Sequence, residues 1–375
     1  MASECSVVVE NWLSRLTPAT ARMCRYKLDY FMEWLSDNGR ARERNIKITI
    51  ILLLFILAAP CVYAHTPLTS GGENNSIESA LELTNPTKSW TMYRELHEVE
   101  EVEYFKLHLK AGEKFQFSVS TPRSEDPNFV PSAVVIWPGS DIKEDVPSFV
   151  EVPTGCGASL VKGLRPPATE YEPFTPTSYY FVVDYAENVV QEGNYYIAVF
   201  EPQSGGKYGL AIGYVEEFTA VEWLKIPFDL LVIHVWEGQS LLMILVPLLL
   251  TLIIGFPLLH MRYKLSIELV TSVGLIAGLL DVGSGLMTFV QMVIAINGAN
   301  QTETYPLTLL FALTPIILGV LIILKTVRYK SGWSTKDRAI IVTLGALSLV
   351  FWAGLIAGPI LAIILGLFPP WNRVN

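Results

Sequence analysis

Residues 239–260 read QSLLMILVPLLLTLIIGFPLLH, an apolar run without Asp, Glu, Lys or Arg. Three more apolar stretches follow, at about 267–296, 305–324 and 339–368. An α-helix needs roughly 20 residues to cross the hydrocarbon core of a bilayer. The sequence therefore predicts a C-terminal bundle of about four transmembrane helices in contact with membrane lipid, within 223–375. The second and fourth stretches are longer than one crossing requires, so each must tilt, break or project beyond the membrane.

Positive charge is distributed unevenly around these stretches. Arg262 and Lys264 lie between the first and the second, and five Lys and Arg residues lie between the third and the fourth. The connection at 297–304 has none. Because basic connections stay in the cytoplasm, we expect residues 65–238 and the 297–304 connection to be extracellular. The same rule places both basic connections inside and the C-terminus outside.

A shorter apolar run at 46–64 follows Arg40, Arg42 and Arg44 and ends in Val62-Tyr63-Ala64. A basic flank, an apolar centre and small residues at the end are typical of a signal peptide. The alternative is an uncleaved signal anchor. The apolar centre is short for a full span, which favours cleavage.

Residues 65–222 carry a net charge of −14, whereas the whole chain of 375 residues carries −9. A domain this acidic repels phosphate and is a poor partner for nucleic acid. It contains a single cysteine, Cys156, which excludes a disulfide framework. The domain must therefore be stabilised by a packed core, in which Cys156 is expected to be a small core residue.

The acidic segment is rich in short alternating runs bounded by Gly, Pro and Asn. The clearest runs lie at 103–109, 114–119, 133–137, 179–184, 194–200 and 208–214. Short strands at this spacing, without helical periodicity between them, predict an antiparallel β-sandwich over 65–222.

Three motifs of this segment resemble the jelly-roll pre-peptidase C-terminal domains of secreted prokaryotic proteins. They are Tyr-Phe-x-Leu-x-Leu-x-Ala-Gly-Glu within 103–113, Gly-Asn-Tyr-Tyr-Ile-x-Val at 193–199 and Gly-x-Tyr-x-Leu-x-Ile at 206–212. Glu103 stands where that family often has Asp. The resemblance covers 90–215 and implies an accessory or binding module by analogy of fold alone.

The N-terminal segment 1–45 contains two amphipathic patterns, the second capped by Thr17 and Pro18. Residues 7–39 resemble the start of the core-binding (SAM-like) domain of tyrosine recombinases and phage integrases. The resemblance implies phosphate contacts by four basic residues, Arg15, Arg22, Arg25 and Lys27. The catalytic set of that family is missing from the remainder of the chain, so recombinase activity is not expected. We favour a fused or misassigned gene start over a working DNA-binding module.

One acid, Asp281, falls in the middle of the second apolar stretch. Polar groups inside spans are frequent functional sites. We expect its carboxylate to accept hydrogen bonds from the backbone and hydroxyl donors around Gly283 and Ser284, at a helix break over 282–285. The alternative is an intramembrane ion or proton site.

Other candidate sites are weaker. Asn74 and Asn300 begin glycosylation sequons. The aromatic residues between 179 and 196 could form a sugar-binding platform, although an alternating sandwich core is preferred. His97 and His108 near five glutamates do not match a zinc signature. No catalytic residues, metal ligands or cofactors are predicted.

The sequence thus predicts a multi-domain membrane protein, with a helical N-terminal segment, an all-β ectodomain and a transmembrane bundle. The predicted function is a cell-surface protein of the cell membrane, whose non-catalytic sandwich binds a protein or glycan. One alternative is a small transport or channel component centred on Asp281. Another is a membrane-tethered DNA-binding protein.

Overall fold

The computed structural model describes residues 66–68, 72, 74–265, 268–301, 304–329 and 333–368. The N-terminal segment 1–45 and the predicted signal peptide at 46–64 lie outside these residues, as do the predicted DNA contacts Arg15, Arg22, Arg25 and Lys27. The described chain consists of a β-sheet region followed by apolar helices, in the predicted order.

The strands of the described residues form two sheets, whose interior pairs are antiparallel and whose four edge pairs are parallel. One sheet has the order β1-β3-β12-β5-β10-β9-β13 and the other the order β2-β4-β11-β6-β8-β7. The strands are β1 (Thr66–Leu68), β2 (Leu81–Leu83), β3 (Trp90–Leu96), β4 (Val102–Leu109), β5 (Lys114–Pro122), β6 (Ser132–Pro138), β7 (Lys143–Glu144), β8 (Cys156–Val161), β9 (Thr169–Glu172), β10 (Thr177–Asn188), β11 (Gly193–Phe200), β12 (Gly206–Ile212) and β13 (Ala299–Gln301).

The alternation of side chains along each strand explains how the sheets pack. On β4, Phe105, Leu107 and Leu109 point into the core between the two sheets. Tyr104 on the same strand points the other way, into a second cluster that includes Val150. The six-stranded sheet therefore buries both of its faces. Cys156 on β8 is a half-buried free thiol that packs against the second cluster.

The helices of the described residues begin directly after β12. They are α1 (Ala220–Trp236), α2 (Leu241–Tyr263), α3 (Leu269–Ile296), α4 (Tyr305–Val327), α5 (Thr335–Val350), a 3₁₀ turn (Ala353–Ile356) and α6 (Ala357–Leu367). α1 begins at a capping box, in which Thr219 accepts from the Glu222 amide and the Glu222 carboxylate accepts from the Thr219 amide. A second capping box, between Ser334 and Asp337, begins α5.

α3 is the central helix of the bundle, and its small residues explain why. A Cβ at Gly278 would lie 2.7 Å from the carbonyl oxygen of Gly319 on α4. A Cβ at Gly283 would lie 2.9 Å from the Cα of Leu248 on α2. Glycine therefore lets the backbones of three helices approach closely, which is how apolar helices associate without a hydrophobic driving force.

α5 and α6 do not form one straight helix, because the chain bends by 117° between them. Away from the bend, the start of α5 and the end of α6 lie side by side. From the first turn of α5, Arg338 donates through Nε to the Gly366 carbonyl (2.8 Å) and through Nη2 to the Leu367 carbonyl (2.7 Å) at the end of α6. The segment is therefore a helical hairpin, and we call residues 351–358 its tip.

Three helices, α2, α3 and α4, are long and apolar enough to cross a membrane, and the hairpin would make a fourth if it counted as one span. Two expectations need correction. α3 is continuous through 282–285, so the predicted break there is wrong. The fourth stretch breaks instead, because Pro359 and the surrounding glycines interrupt it. The predicted stretch 339–368 is therefore a bent pair of helices, either a broken span or a re-entrant loop, and not one straight helix.

Candidate functional site at Asp281 and the hairpin tip

Asp281 is fully buried in the middle of α3, with an exposed fraction of 0%. Neither of its carboxylate oxygens has a hydrogen-bond partner among the described residues. An isolated carboxylate in an apolar interior is strongly unfavourable, so such groups are paired, protonated or functional. This unpartnered acid is the feature that marks the site.

The carboxyl group packs directly against backbone. A Cβ at Gly358 would overlap Oδ1 of Asp281, and a Cβ at Gly354 would lie 2.7 Å from the same atom. On the α4 side, a Cβ at Gly319 would lie 2.9 Å from the Asp281 Cβ. The absence of these three side chains gives the carboxyl group its space between α4 and the hairpin tip.

The predicted hydroxyl donor does not bind the carboxylate. Ser284 Oγ instead donates to the Asp281 backbone carbonyl (2.9 Å) and accepts from the Gly354 amide (2.7 Å). Ser284 thereby ties the hairpin tip to α3. Ser348 on α5 supplies a second hydroxyl close enough to interact with the Asp281 carboxylate, although no hydrogen bond of standard geometry joins them.

The hairpin tip has an unusual backbone. Trp352, Leu355 and Ile356 have φ angles of 52°, 49° and 68°, in the left-handed region that side chains with a Cβ rarely adopt. Each such residue costs about 1–2 kcal/mol. Strained backbone of this kind tends to cluster at functional and switch sites. It lies here directly against Asp281.

An aromatic cluster connects the tip to its surroundings. The Trp352 ring lies 4.5 Å from the Trp223 ring on α1 and 5.0 Å from the Phe311 ring on α4, measured between centroids. It also meets Phe174 edge-on at 5.3 Å. Phe174 belongs to the loop between β9 and β10, so the β-sheet region reaches the hairpin tip itself.

A cavity of about 50 Å³ lies beneath this loop. Its lining includes Phe174, His234, Ser284, Thr308 and Trp352. A volume of this size holds only a few water molecules. The cavity extends from the β9–β10 loop down to Ser284, one helical turn from Asp281.

Hydrogen bonds join the β-sheet region to the helices at the same place. Tyr171 Oη on β9 donates to Thr308 Oγ1, and Thr308 donates to the Pro173 carbonyl, both at 2.5 Å. β13, from the α3–α4 connection, pairs in parallel with β9. At the far end of α1, Trp236 Nε1 donates to the Arg94 carbonyl at 3.1 Å.

We call the contact of Tyr171 and Pro173 with Thr308 the helix junction. Burial shifts the pKa values of groups at this junction. It raises the pKa of Tyr171 to about 12, so the hydroxyl stays a donor at neutral pH. Burial, reinforced by the nearby Glu216 carboxylate, also raises the pKa of Glu172 to about 7, although the Phe174 amide donates to it at 3.1 Å and opposes the shift. Glu172 therefore changes charge near neutral pH.

A buried ionic cluster lies on β3 and β4. Arg94 binds the Glu103 carboxylate, and the Tyr208 hydroxyl donates to the same group. Arg94 also donates to Asn74 Oδ1 at 2.6 Å, while Asn74 Nδ2 donates to the Tyr104 carbonyl at 3.1 Å. The Asn74 side chain is only 3% exposed, a geometry that does not favour a glycan there.

The other sequence-predicted residues lie apart from this site. Tyr195 packs in the sandwich core, whereas Tyr196 packs against the second cluster on the opposite face of β11. Asn300 lies in β13. Within the described part of the chain, no group of three or more His, Cys, Asp and Glu residues is placed to hold a metal ion.

Sequence reasoning found Asp281 but missed the hairpin tip and the junction. The sequence pattern predicts only one long apolar stretch over 339–368, without locating a reversal within it. Pro359 with Gly354 and Gly358 is a signal that could have marked the reversal.

Comparison with known proteins assigns no family. No family model matches the chain, and no curated protein matches it at a significant level.

Proposed function

We propose that the chain is a multi-pass membrane protein of the cell surface whose β-sandwich is a non-catalytic binding module held rigidly on the helices. The helices support membrane insertion, because their outward faces are apolar. Large side chains such as Leu242, Ile253 and Ile317 are more than half exposed. An exposed apolar surface of this extent requires lipid or protein cover.

Charge and contacts support one orientation. β13 pairs with β9, so the sandwich and the α3–α4 connection must share one side of the membrane. Lys325 and Asp337 form an ion pair at 2.5 Å between the end of α4 and the start of α5, away from that side. Under the basic-inside rule, this arrangement favours a sandwich outside the cell. Because α6 ends beside the start of α5, the end of α6 lies on the cytoplasmic side in this orientation, in contrast to the outside C-terminus that charge alone predicts.

The single observation that carries the proposal is the β9–β13 pairing. A module on a flexible tether would share no strand with the membrane region. Here a segment between two helices pairs with the edge strand β9, which fixes the sandwich to the membrane region.

Disulfide cross-linking in membranes tests this arrangement. The register pairs Thr169 with Ala299. In a chain without native cysteines, Thr169→Cys with Ala299→Cys should cross-link under mild oxidation, in a fraction that resists alkaline carbonate extraction. The matched control, Thr169→Cys with Tyr263→Cys, should not cross-link. Equal cross-linking of both pairs, or release by carbonate, would refute the proposal.

The hairpin tip favours a second candidate, a proton or ion conduit centred on Asp281. Its support is the unpartnered carboxyl group beside strained backbone and a cavity. Purified protein in liposomes containing a pH-sensitive dye provides the test. This candidate requires a flux that Asp281→Asn abolishes while the variant remains folded. Absence of flux from the unaltered protein eliminates it.

A further inference from the structure

The end of the sandwich remote from the helices contains an open cleft of about 530 Å³. Residues of both sheets line it, at the ends of β6, β8 and β10 and the starts of β5 and β11. β10 begins beside the helix junction and runs 12 residues away from it. At about 3.3 Å per residue, the cleft is therefore well separated from the junction and faces solvent.

Aromatic rings form the floor of the cleft. Phe115 meets Tyr185 and Tyr195 edge-on, both at 5.6 Å between centroids. Tyr185 and Trp137 are only partly buried. Aromatic rings of this kind combine a large apolar face with a polar edge, which suits an amphipathic ligand.

The Trp137 indole packs against the backbone of its cross-strand partner. Its register partner on β8 is Gly157. A Cβ at position 157 would lie 2.7–2.8 Å from three atoms of the indole ring. Glycine therefore allows one face of the indole to lie against the β8 backbone, so that the ring serves as a platform at the cleft.

Polar side chains form the rim. Glu144, Glu187, Asn188 and Gln191 line the cleft and are exposed. Glu187 accepts a hydrogen bond from the Tyr185 hydroxyl. Carboxylates and amides accept and donate hydrogen bonds in fixed planes. With two carboxylates and no Lys or Arg in its lining, the cleft repels anions.

We propose that this cleft binds a short neutral oligosaccharide. A pyranose ring has an apolar face of C–H groups, which matches the indole platform, and a periphery of hydroxyl groups, which matches the rim. The volume lies in the usual range for small-molecule sites. The inference rests on the proposed binding function, and it assigns the ligand class and the location.

Calorimetric titration of the full-length protein in nanodiscs tests the inference. The probes are cellotriose, maltotriose and chitotriose, with a sulfated heparin tetrasaccharide as the anionic comparison. At least one neutral trisaccharide should bind, and the anionic probe should not. Glu187→Gln with Gln191→Ala removes rim contacts at exposed positions, so the fold is retained. It should weaken binding about tenfold, the effect of losing about 1.4 kcal/mol.

Two further variants sharpen the result. Trp137→Ala should abolish binding, and its melting temperature reports whether it remains folded. Glu98→Gln, at the opposite end of the sandwich, should bind as the unaltered protein does. Failure of every neutral probe at millimolar concentration, tighter binding of the heparin fragment, or binding unaffected by the rim variant would overturn the proposal. None of these outcomes affects the cross-linking test of the membrane arrangement.

Discussion

The hydroxyl of Tyr171 on β9 donates a 2.5 Å hydrogen bond to the hydroxyl of Thr308 on α4. The Thr308 hydroxyl in turn donates a hydrogen bond to the Pro173 carbonyl, in the loop that covers the bundle cavity. Both hydroxyl-bearing residues are buried, at 6% and 1% exposure. This relay of two hydrogen bonds joins the β-sheet region to α4, and neither bond can form within one part alone.

The Tyr171→Phe substitution tests the relay. It removes one donor and leaves the aromatic ring in place, so a loss of about 1 kcal/mol is expected. The melting temperature in detergent should fall by about 1–2 °C, because the shift per kcal/mol decreases as the chain lengthens. Tyr214→Phe, at an exposed ring, is the control and should melt unchanged. Equal melting temperatures for the two variants would mean that the relay contributes nothing.

The contact between Asp281 and the hairpin tip predicts a specific rescue. Gly358→Ala places a methyl group against Asp281 Oδ1, and such overpacking costs about 1–3 kcal/mol. Adding Asp281→Ala removes the obstructing carboxyl group and should recover most of the lost thermal stability. Gly366→Ala, whose methyl would meet Val342 instead, should not be rescued by Asp281→Ala. Additive effects in both pairs would contradict the described packing.

Glu172 should make stability depend on pH. Its pKa is raised from 4.5 to about 7 in the folded state, so the folded chain holds a proton that the unfolded chain releases. Stability is therefore full below about pH 4.5 and declines as pH rises through 7, by at most about 3 kcal/mol. Glu172→Gln should flatten this decline between pH 5 and 8 in thermal melts. Glu170→Gln, exposed on the same strand, should leave it intact.

The buried pair of Arg94 and Glu103 predicts non-additive substitutions. Removing one partner leaves the other charge buried, and Glu103→Leu should cost about 3–5 kcal/mol. The double variant Arg94→Met with Glu103→Leu replaces both charges by apolar groups and should cost clearly less than the single variant. Chemical unfolding of the three proteins provides the comparison. A double variant that is less stable than Glu103→Leu would show that an unpaired Arg94 charge is not what destabilises the single variant.

Much of the fold follows from sequence pattern. The six predicted strands appear at nearly their predicted positions because their alternation matches a pleat with one face in the core. The apolar stretches 239–260, 267–296 and 305–324 coincide with α2, α3 and α4 because length and hydropathy decide such helices. Edge strands such as β1, β2 and β7 have two or three residues, too few for a periodic signal.

The parts that sequence reasoning missed depend on contacts distant in the chain. β13 forms a strand only because Ala299 pairs with Thr169, which lies 130 residues earlier in the chain. The hairpin is closed by Arg338 binding the carbonyls of Gly366 and Leu367, which no local pattern reveals. Asp281 could be predicted as a candidate, but its neighbours at Gly354 and Gly358 could not.

The proposed orientation places the sandwich outside the cell and the start of the hairpin inside. The direct measurement is labelling of single cysteines by an impermeant maleimide in intact cells, in a chain whose native cysteines are replaced. Glu192→Cys on the sandwich and Lys336→Cys at the start of α5 are both exposed positions. Position 192 should label in intact cells, and position 336 should label only after permeabilisation. Labelling of position 336 in intact cells with position 192 protected, or equal labelling of both, would be incompatible with this orientation.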